Sequence, residues 1–289
     1  YIAFDNCVFS GNNIIDNSAC VYVEGNRTSL NVTNCVFNNN TADVISAIRY
    51  IGSDGYAGLF NTNITNGWQR LKAAVELDLT YGDGGIVEVV GCLFQNQTGQ
   101  QRPENGSTVG MTGVLQMAAL SIASDTNKYK SITIQNCSFY DNVGIALGAS
   151  RIYVQGDNYT VNMTNNHYEN NTSVTGFGGG HMTYVGGNNM HDRYFNNTFV
   201  RNKALFSGGM ALRYAGNNNP ILDSNTFEQN EARNYDGLLV DTVSVLTWTT
   251  YAELIDNVMI GNTMTIEAYI TVPPGGKAVL QGSVLLLRQ

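Results

Sequence analysis

The sequence predicts an all-β protein, a single-stranded parallel β-helix in which short strands coil around one core. The first observation behind this prediction is a pattern of inward-facing residues that recurs with a period of roughly 26–34 residues. A repeat of this length indicates stacked structural units. The second observation is that no 3.6-residue apolar period occurs, so the helical crossovers of ordinary parallel sheets are not expected.

The clearest copy of the repeat is SLNVTNCVF, at residues 29–37. Leu30 and Val32 are two residues apart and therefore share one face of a strand. The next inward residues, Cys35 and Phe37, follow after a step of three. The chain must bend at the intervening asparagine for all four side chains to reach the same core.

Each repeat has one reference position, usually an aromatic ring, and we place about ten rungs on these positions. They are Phe9, Phe37, Phe60, Phe94, Phe139, Tyr168, Phe199, Phe227, Met259 and Leu285. An asparagine usually stands three residues later, where it suits a sharp turn because it tolerates the left-handed backbone region. Stacked asparagines can also form an amide ladder along the axis.

A second apolar strand follows this turn in many repeats, as in residues 47–50 and 211–214. Small residues precede it, such as the glycines at 178–180, which indicates that backbone approaches backbone there. One period therefore holds three short strands and two turns.

We expect one solenoid over residues 1–289, forming a segment of a longer chain because no initiating Met or signal segment is present. The step between Phe94 and Phe139 is unusually long, so residues 96–111 are predicted to be an inserted loop. Residues 263–289 are predicted to be the last, open rung. Open rungs expose unpaired strand edges, which predicts self-assembly or binding of neighbouring surface proteins.

The composition excludes several classes of partner. Charged residues make up 13% of the chain and the net charge is −8, whereas nucleic acids and anionic membranes require clustered Lys and Arg. No apolar run approaches the ~20 residues that span a bilayer. Neither a cofactor nor a metal is indicated, because no C-x-x-C spacing or acidic cluster is present.

Asn-x-Ser/Thr triplets are more than twice as frequent as the Asn, Ser and Thr content gives by chance. A repeat rich in Asn and Thr could copy such triplets without carrying sugar. Many of them, however, fall in outward slots or turns, which favours a secreted, N-glycosylated extracellular or cell-surface protein. The predicted sites are Asn26, Asn31, Asn39, Asn63, Asn96, Asn105, Asn136, Asn158, Asn162, Asn170 and Asn196; a twelfth triplet begins at Asn171.

Four of the five cysteines, Cys7, Cys35, Cys92 and Cys137, occupy one inward column of the repeat. They can be small buried side chains stacked in a ladder. Disulfides between neighbouring rungs are the alternative, which would leave Cys20 unpaired.

The F-x-x-N turns, together with Gly208-Gly209-Met210-Ala211-Leu212, resemble the repeats of chlamydial polymorphic outer membrane proteins and related eukaryotic β-helix proteins. Those proteins belong to the pectin-lyase-like class. The resemblance implies right-handed coiling and a surface role in adhesion or scaffolding.

Pectin-lyase-like enzymes use clustered Asp residues with a metal or a basic side chain, and the sequence motifs of such clusters are missing here. The best catalytic candidate is Asp192, which occupies a predicted inward position between His191 and Arg193, with His181 half a repeat earlier. A buried carboxylate is costly unless it is paired. The simpler interpretation is therefore a local bulge that turns Asp192 outward.

Arg49 and Arg213 are assigned to one outward slot of the second strand, with Arg151 and Thr183 in equivalent places. With the adjacent Tyr50 and Tyr214, they could bind acidic glycans. A solvated surface is the simpler explanation.

Three functions follow from these observations. The first is a non-catalytic, glycosylated structural protein that builds or decorates a cell-surface filament, appendage or wall. The second is a polysaccharide lyase or hydrolase of the same fold, and the third is a glycan-binding adhesin.

Overall fold

The computed structural model of the chain is a parallel β-solenoid, and no α-helix occurs in its described residues. The structure describes residues 1–14, 19–70, 72–79, 84–99, 119–124, 130–214, 218–232, 241–247, 251–260, 262, 266–271, 277–281 and 284–286. Its strands form four parallel sheets, called A to D here in the order in which each coil passes through them.

Sheets A and B each contain ten strands. Those of sheet A are Ile2–Asp5, Ser29–Thr33, Gly55–Phe60, Gly85–Val90, Lys130–Gln135, Tyr159–Thr164, His191–Phe195, Ile221–Asp223, Tyr251–Ile255 and Lys277–Gln281. Those of sheet B are Val8–Ser10, Val36–Asn38, Asn63–Thr65, Leu93–Gln95, Ser138–Tyr140, His167–Glu169, Thr198–Val200, Thr226–Glu228, Val258–Ile260 and Val284–Leu286.

Sheets C and D are smaller, with eight and nine strands. Those of sheet C are Asn13–Ile14, Thr41–Ala42, Trp68–Gln69, Thr98–Gly99, Val143–Gly144, Thr172–Ser173, Lys203–Ala204 and Glu231–Ala232. Those of sheet D are Val21–Asn26, Ile48–Ser53, Val75–Asp78, Leu120–Ser124, Ser150–Val154, His181–Val185, Met210–Tyr214, Asp241–Thr247 and Ile266–Thr271.

The prediction of an all-β parallel solenoid is confirmed, with two corrections to the coil. Among the described residues, eight coils contribute a strand to all four sheets, and sheets A and B alone continue to ten. Each complete coil has four strands, where the sequence predicted three. The missed element is sheet C, whose strands are two residues long and too short for any periodicity to reveal. Right-handed coiling remains a prediction.

The reference position of the third coil was predicted wrongly. Ile64 pairs in sheet B with Phe37 on one side and Phe94 on the other. Phe60 instead lies on the outer face of sheet A, in register with Thr33 and Val90. Phe60 begins the sequence FNTN, which matches the F-x-x-N turn pattern of the other repeats and explains the wrong prediction. The 27-residue step from Phe37 to Ile64 nevertheless fits the period better.

The inserted loop also begins later than predicted. Thr98 and Gly99 form a regular strand of sheet C, so residues 96–99 belong to the coil. The rest of the predicted loop, 100–111, lies outside the described residues.

The core contains a column of stacked rings along the sheet B side. Phe94, Phe139, Tyr168, Phe199 and Phe227 follow one another with ring centroids 4.5–4.9 Å apart and interplanar angles of 7° or less. All five rings are fully buried. In-register parallel strands impose this spacing, which matches the strand separation of about 4.8 Å. The reference aromatics therefore define the register of the stack.

A ladder of side-chain amides closes the turn between sheets B and C. The backbone N–H and side-chain Nδ2 of Asn171 both donate to Oδ1 of Asn202, and Asn202 repeats this arrangement towards Asn230. Each Nδ2 also donates to the backbone carbonyl of the preceding coil's reference residue, as from Asn171 to Phe139. The ladder residues are Asn12, Asn40, Gln97, Asn142, Asn171, Asn202, Asn230 and Asn262.

In the third coil Gly67 stands at the ladder position. A Cβ atom there would lie 2.1 Å from Oε1 of Gln97. The longer Gln97 side chain therefore takes the space and donates to the carbonyl of Ile64.

A second ladder closes the turn between sheets A and B, and here cysteines substitute for asparagines. Asn166, Asn197, Asn225 and Asn257 form amide steps like those above. The thiols continue the column: Sγ of Cys137 accepts from the N–H of Cys92 at 3.4 Å and donates to the carbonyl of Val89 at 3.3 Å. The five cysteines are all free thiols, which agrees with the stacked interpretation rather than the disulfides.

The glycines before sheet D permit close backbone packing, as predicted. A Cβ atom on Gly148 would lie 1.7 Å from the carbonyl oxygen of Gly179 on the next coil. The same segments place Phe177 and Phe206 in a stacked pair with centroids 4.7 Å apart.

We predict that Asn202→Ala strongly destabilises the solenoid. The change removes one partner from each of two ladder steps and leaves buried groups of Asn171 and Asn230 unsatisfied, at about 1–3 kcal/mol for each group. Urea unfolding should show a loss of at least about 3 kcal/mol. The control is Asn63→Ala, which removes an exposed asparagine from the outer face of sheet B. Equal effects of the two substitutions would contradict the energetic role of the ladder.

Candidate functional site

Asp192 points into the core, and the predicted outward bulge is wrong. It pairs in regular register with Val161 of the preceding coil, so the strand alternation is kept and its side chain faces inward. Asp192 is 2% exposed. Tyr194, two residues later, is also inward and fully buried. Polar side chains in the core surround the carboxylate, which explains why the strand stays regular instead of bulging.

Seven buried side chains form a continuous hydrogen-bond network across the core, from sheet B through sheet D to sheet A. One end is the hydroxyl of Tyr168, which is 3.0 Å from Oγ of Ser150. The network continues through His181, Thr183, Tyr194 and Tyr214, with neighbouring polar atoms 2.7–3.0 Å apart. It ends where the hydroxyl of Tyr214 donates to Oδ2 of Asp192 at 2.7 Å. His181 is therefore linked to Asp192 through hydroxyl groups.

Burial controls the protonation of the two titratable groups that the sequence singled out here. Burial raises the pKa of Asp192 to about 7, although the hydrogen bond from Tyr214 acts in the opposite direction. Burial lowers the pKa of His181 to about 3, so its imidazole is neutral. Oδ1 of Asp192 has no hydrogen-bond partner among the described residues. An unsatisfied buried oxygen favours the protonated acid over the carboxylate.

His191 and Arg193 lie on the opposite face of the same strand. Both are exposed, because side chains alternate along a strand. Arg193 donates to Oδ2 of Asp223 at 2.9 Å and lies over the ring of Phe195. The four proposed catalytic residues are therefore divided between the core and the surface. A polysaccharide on the surface cannot contact Asp192 or His181 in this structure.

A surface pocket of about 380 Å³ lies on this outer face of sheet A. Its lining includes Asn162, Arg193, Ile221 and Glu253. Asp192 also borders this pocket, but its carboxylate points into the core, where it accepts a hydrogen bond from Tyr214. Among the described residues, no group of three or more His, Cys, Asp or Glu side chains is placed to hold a metal ion.

The proposed glycan-binding strip of Arg49, Tyr50, Arg213 and Tyr214 is not a continuous surface. Both tyrosines are buried, and the hydroxyl of Tyr50 donates to the carbonyl of Thr28 at 2.6 Å. No glycan can contact either ring here.

The two arginines also occupy different columns of sheet D, so their assignment to one slot is wrong. Arg49 is in register with Glu76, and Arg213 is in register with Tyr184. A two-residue shift keeps the same face, so the A-I-R-Y and A-L-R-Y motifs could not fix the register. Arg151 does share the column of Arg49, whereas Thr183 points inward.

Each arginine is engaged within the protein. Arg49 pairs with Glu76 at 3.0 Å, and Lys72 pairs with the same carboxylate at 2.5 Å. The guanidinium of Arg213 lies 3.7 Å above the ring of Phe177.

The predicted glycosylation sites are on the surface wherever the structure describes them. Eight of the asparagines are exposed, and Asn31 and Asn162 are half-buried on the outer face of sheet A. Asn105 lies outside the described residues. By contrast, Asn171 is fully buried in the B–C ladder.

One buried polar group was missed by the sequence reasoning. Lys130 is fully buried, and its Nζ donates to the carbonyl of Leu79 at 2.7 Å and to Oγ of Ser124 at 2.6 Å. The signal was present, since Lys130 precedes the inward Ile132 by two residues and must share its face.

No protein-family model, curated protein or solved structure matches the chain. Among the described residues, the structure contains no helix with the length and apolar character of a membrane span. Function must therefore be inferred from the residues themselves.

We predict that Asp192→Asn changes how stability depends on pH. Between pH 4 and 7 the unfolded carboxyl ionises while the buried one keeps its proton, so the wild type should lose on the order of 4 kcal/mol with rising pH. Asp192→Asn should lack this loss and become the more stable protein at pH 8. Urea unfolding at several pH values measures the effect. Asp256→Asn, in an exposed turn, controls for the change in net charge. Parallel curves for wild type and Asp192→Asn would contradict the buried acid.

We predict that Cys137→Asn is tolerated whereas Cys137→Leu is not. Asn can replace both the donor and the acceptor role of the thiol, because the next three coils use Asn at this position. Leu removes the acceptor of the buried Cys92 N–H, which costs about 1–3 kcal/mol, and it also removes the bond from the thiol to the carbonyl of Val89. Thermal unfolding compares the two variants. If Cys137→Asn were the less stable, the cysteine column would not be equivalent to the amide ladder.

Proposed function

We propose that this protein is a non-catalytic, N-glycosylated structural solenoid that builds or decorates an extracellular surface structure. The observation that carries the proposal is the distribution of its asparagines between core and surface. Ten predicted acceptors are described, and all ten reach the surface. The asparagines of the two ladders are buried apart from Asn12 on the first coil, and of all the ladder asparagines Asn171 alone begins a triplet. Sugar can therefore be carried without disturbing the core.

The interior supports a mechanical role. Side-chain ladders close the A–B and B–C turns of most described coils, with Gly67 as an exception, and the rings stack continuously through the coils from Phe94 to Phe227. Neighbouring coils in that part of the stack are joined by backbone, amide and ring contacts. Such a stack resists bending and partial opening, which suits a filament, appendage or wall.

The buried position of Asp192 weighs against the lyase or hydrolase alternative. A catalytic acid or base must come within hydrogen-bond reach of its substrate. Oδ2 of Asp192 and both ring nitrogens of His181 instead form hydrogen bonds within one network inside the core. The resemblance to pectin-lyase-like surface proteins then applies to the scaffold, and the chlamydial and eukaryotic surface proteins are the better analogy.

The experiment is secretion from eukaryotic cells followed by peptide N-glycosidase treatment. We expect a glycosylated product whose mass falls on treatment, and no cleavage of polygalacturonate or alginate by either form. Sugar-free secreted protein would contradict the glycoprotein role. Polymer cleavage that Asp192→Ala abolishes would establish the enzyme alternative instead.

A further inference from the structure

The corners of the solenoid carry exposed residues in the left-handed backbone region, one on each coil. At the corner between sheets B and C these are Gly11, Asn39, Asn66, Asn96, Asp141, Asn170, Arg201 and Gln229. At the corner between sheets A and B they include Asn136, Asn165 and Asn196. Asparagine is favoured in this region because its side chain bonds locally.

Glycosylation triplets occur on alternate coils at these corners. Between sheets B and C, the triplet asparagines Asn39, Asn96 and Asn170 are separated by Asn66 and Asp141, which do not begin triplets. Neighbouring coils are about 4.8 Å apart, so alternate positions are about 9.6 Å apart. The wider spacing leaves room for a sugar ring at each triplet, whereas adjacent coils would bring the rings into contact.

Hydrogen bonds join each of three triplet asparagines to a non-triplet residue on the preceding coil. Nδ2 of Asn96 donates to Oδ1 of Asn66 at 3.1 Å, and Nδ2 of Asn170 donates to Oδ1 of Asp141 at 2.7 Å. At the other corner, Nδ2 of Asn196 donates to Oδ1 of Asn165 at 2.8 Å. In each case one of the two amide hydrogens makes the contact between coils.

Asn171 differs in its use of amide hydrogens. Its Nδ2 donates to Oδ1 of Asn202 and to the carbonyl of Phe139, both at 2.9 Å. Both hydrogens are therefore committed to the buried ladder.

This difference matters because N-glycosylation consumes one amide hydrogen. The transfer forms a bond between Nδ2 and C1 of the sugar, breaks the C1–oxygen bond to a lipid-linked diphosphate donor, and releases one amide proton. One hydrogen remains on the nitrogen. An exposed corner asparagine can thus carry sugar and still donate a hydrogen bond to the preceding coil. A sugar on Asn171 would instead remove one of its ladder hydrogen bonds and displace the side chain from its buried position.

We propose that Asn96, Asn170 and Asn196 carry glycans at the two corners while their remaining amide hydrogen still donates to the preceding coil, and that Asn171 stays unmodified. The inference rests on the proposed glycoprotein function and specifies its sites. Non-triplet Asn66, Asp141 and Asn165 then serve as acceptors that hold each carrier in place. The result is a row of sugars at two-coil spacing along the B–C corner.

The test is site-specific glycopeptide mass spectrometry of protein secreted from eukaryotic cells, with electron-transfer fragmentation to separate Asn170 from Asn171. We expect sugar on Asn96, Asn170 and Asn196 and none on Asn171. Sugar on Asn171 of the folded protein would overturn the inference, as would empty carrier sites beside occupied ones elsewhere. An absence of sugar at every triplet would instead overturn the proposed function.

Two variants separate the neighbouring asparagines. Asn170→Gln should be secreted normally with one glycan fewer and with Asn171 still bare, because Gln229 shows that this corner accepts Gln at positive φ. Asn171→Gln keeps the Asn170 triplet and its sugar but disrupts the ladder, so its secretion and its melting temperature should fall. Transfer of the glycan to Asn171 in Asn170→Gln, without loss of secretion, would overturn the distinction between corner and ladder.

Discussion

This structure depends on the side-chain hydrogen bonds that join each turn of one coil to the same turn of the next coil. In an ordinary exposed turn, the backbone N–H and C=O groups can form hydrogen bonds with water. Here the turns pack against one another and exclude that water. The ladder side chains satisfy those groups: Oδ1 accepts the neighbouring N–H, and Nδ2 returns a bond to a carbonyl. Asn fits because it carries both functions on a short side chain. Cysteine can take the same place, as Cys137 does, because its thiol also accepts and donates.

The same constraint determines where polar chemistry can occur. Once the turns and strands are fixed in register, inward positions form closed columns, and a polar residue in such a column must find partners inside. Asp192 and His181 do so through a chain of hydroxyl groups, and burial raises the pKa of Asp192 and lowers that of His181, so that both shifts favour the uncharged form. Outward asparagines are free of this requirement, so the surface becomes the place for modification. The closed core and the exposed asparagines of the surface are two consequences of one alternation.

Much of this arrangement could be predicted from the sequence, because the repeat states both the period and the inward positions. The columns of Phe37, Phe139 and Phe227 follow from it directly. The register of individual strands was harder to predict. The local pattern favoured Phe60 over Ile64 as a reference residue and aligned Arg213 with Arg49, because a shifted register that preserves the alternation satisfies the same pattern. The sequence favoured an outward Asp192 because burial of a carboxylate is costly without hydrogen-bond partners. Its partner Tyr214 belongs to a strand more than twenty residues away and is not visible in the local pattern. Contacts of that kind depend on three-dimensional proximity that no local motif encodes.

The most direct test of the ladder is amide hydrogen exchange at the turn residues. The backbone N–H groups of Asn142, Asn171, Asn202 and Asn230 lie in turns but donate to buried side-chain oxygens of the next coil. They should exchange as slowly as the N–H groups of the central strands, such as that of Val161. Exchange at the rate of exposed turns would show that the coils are not held together in this way.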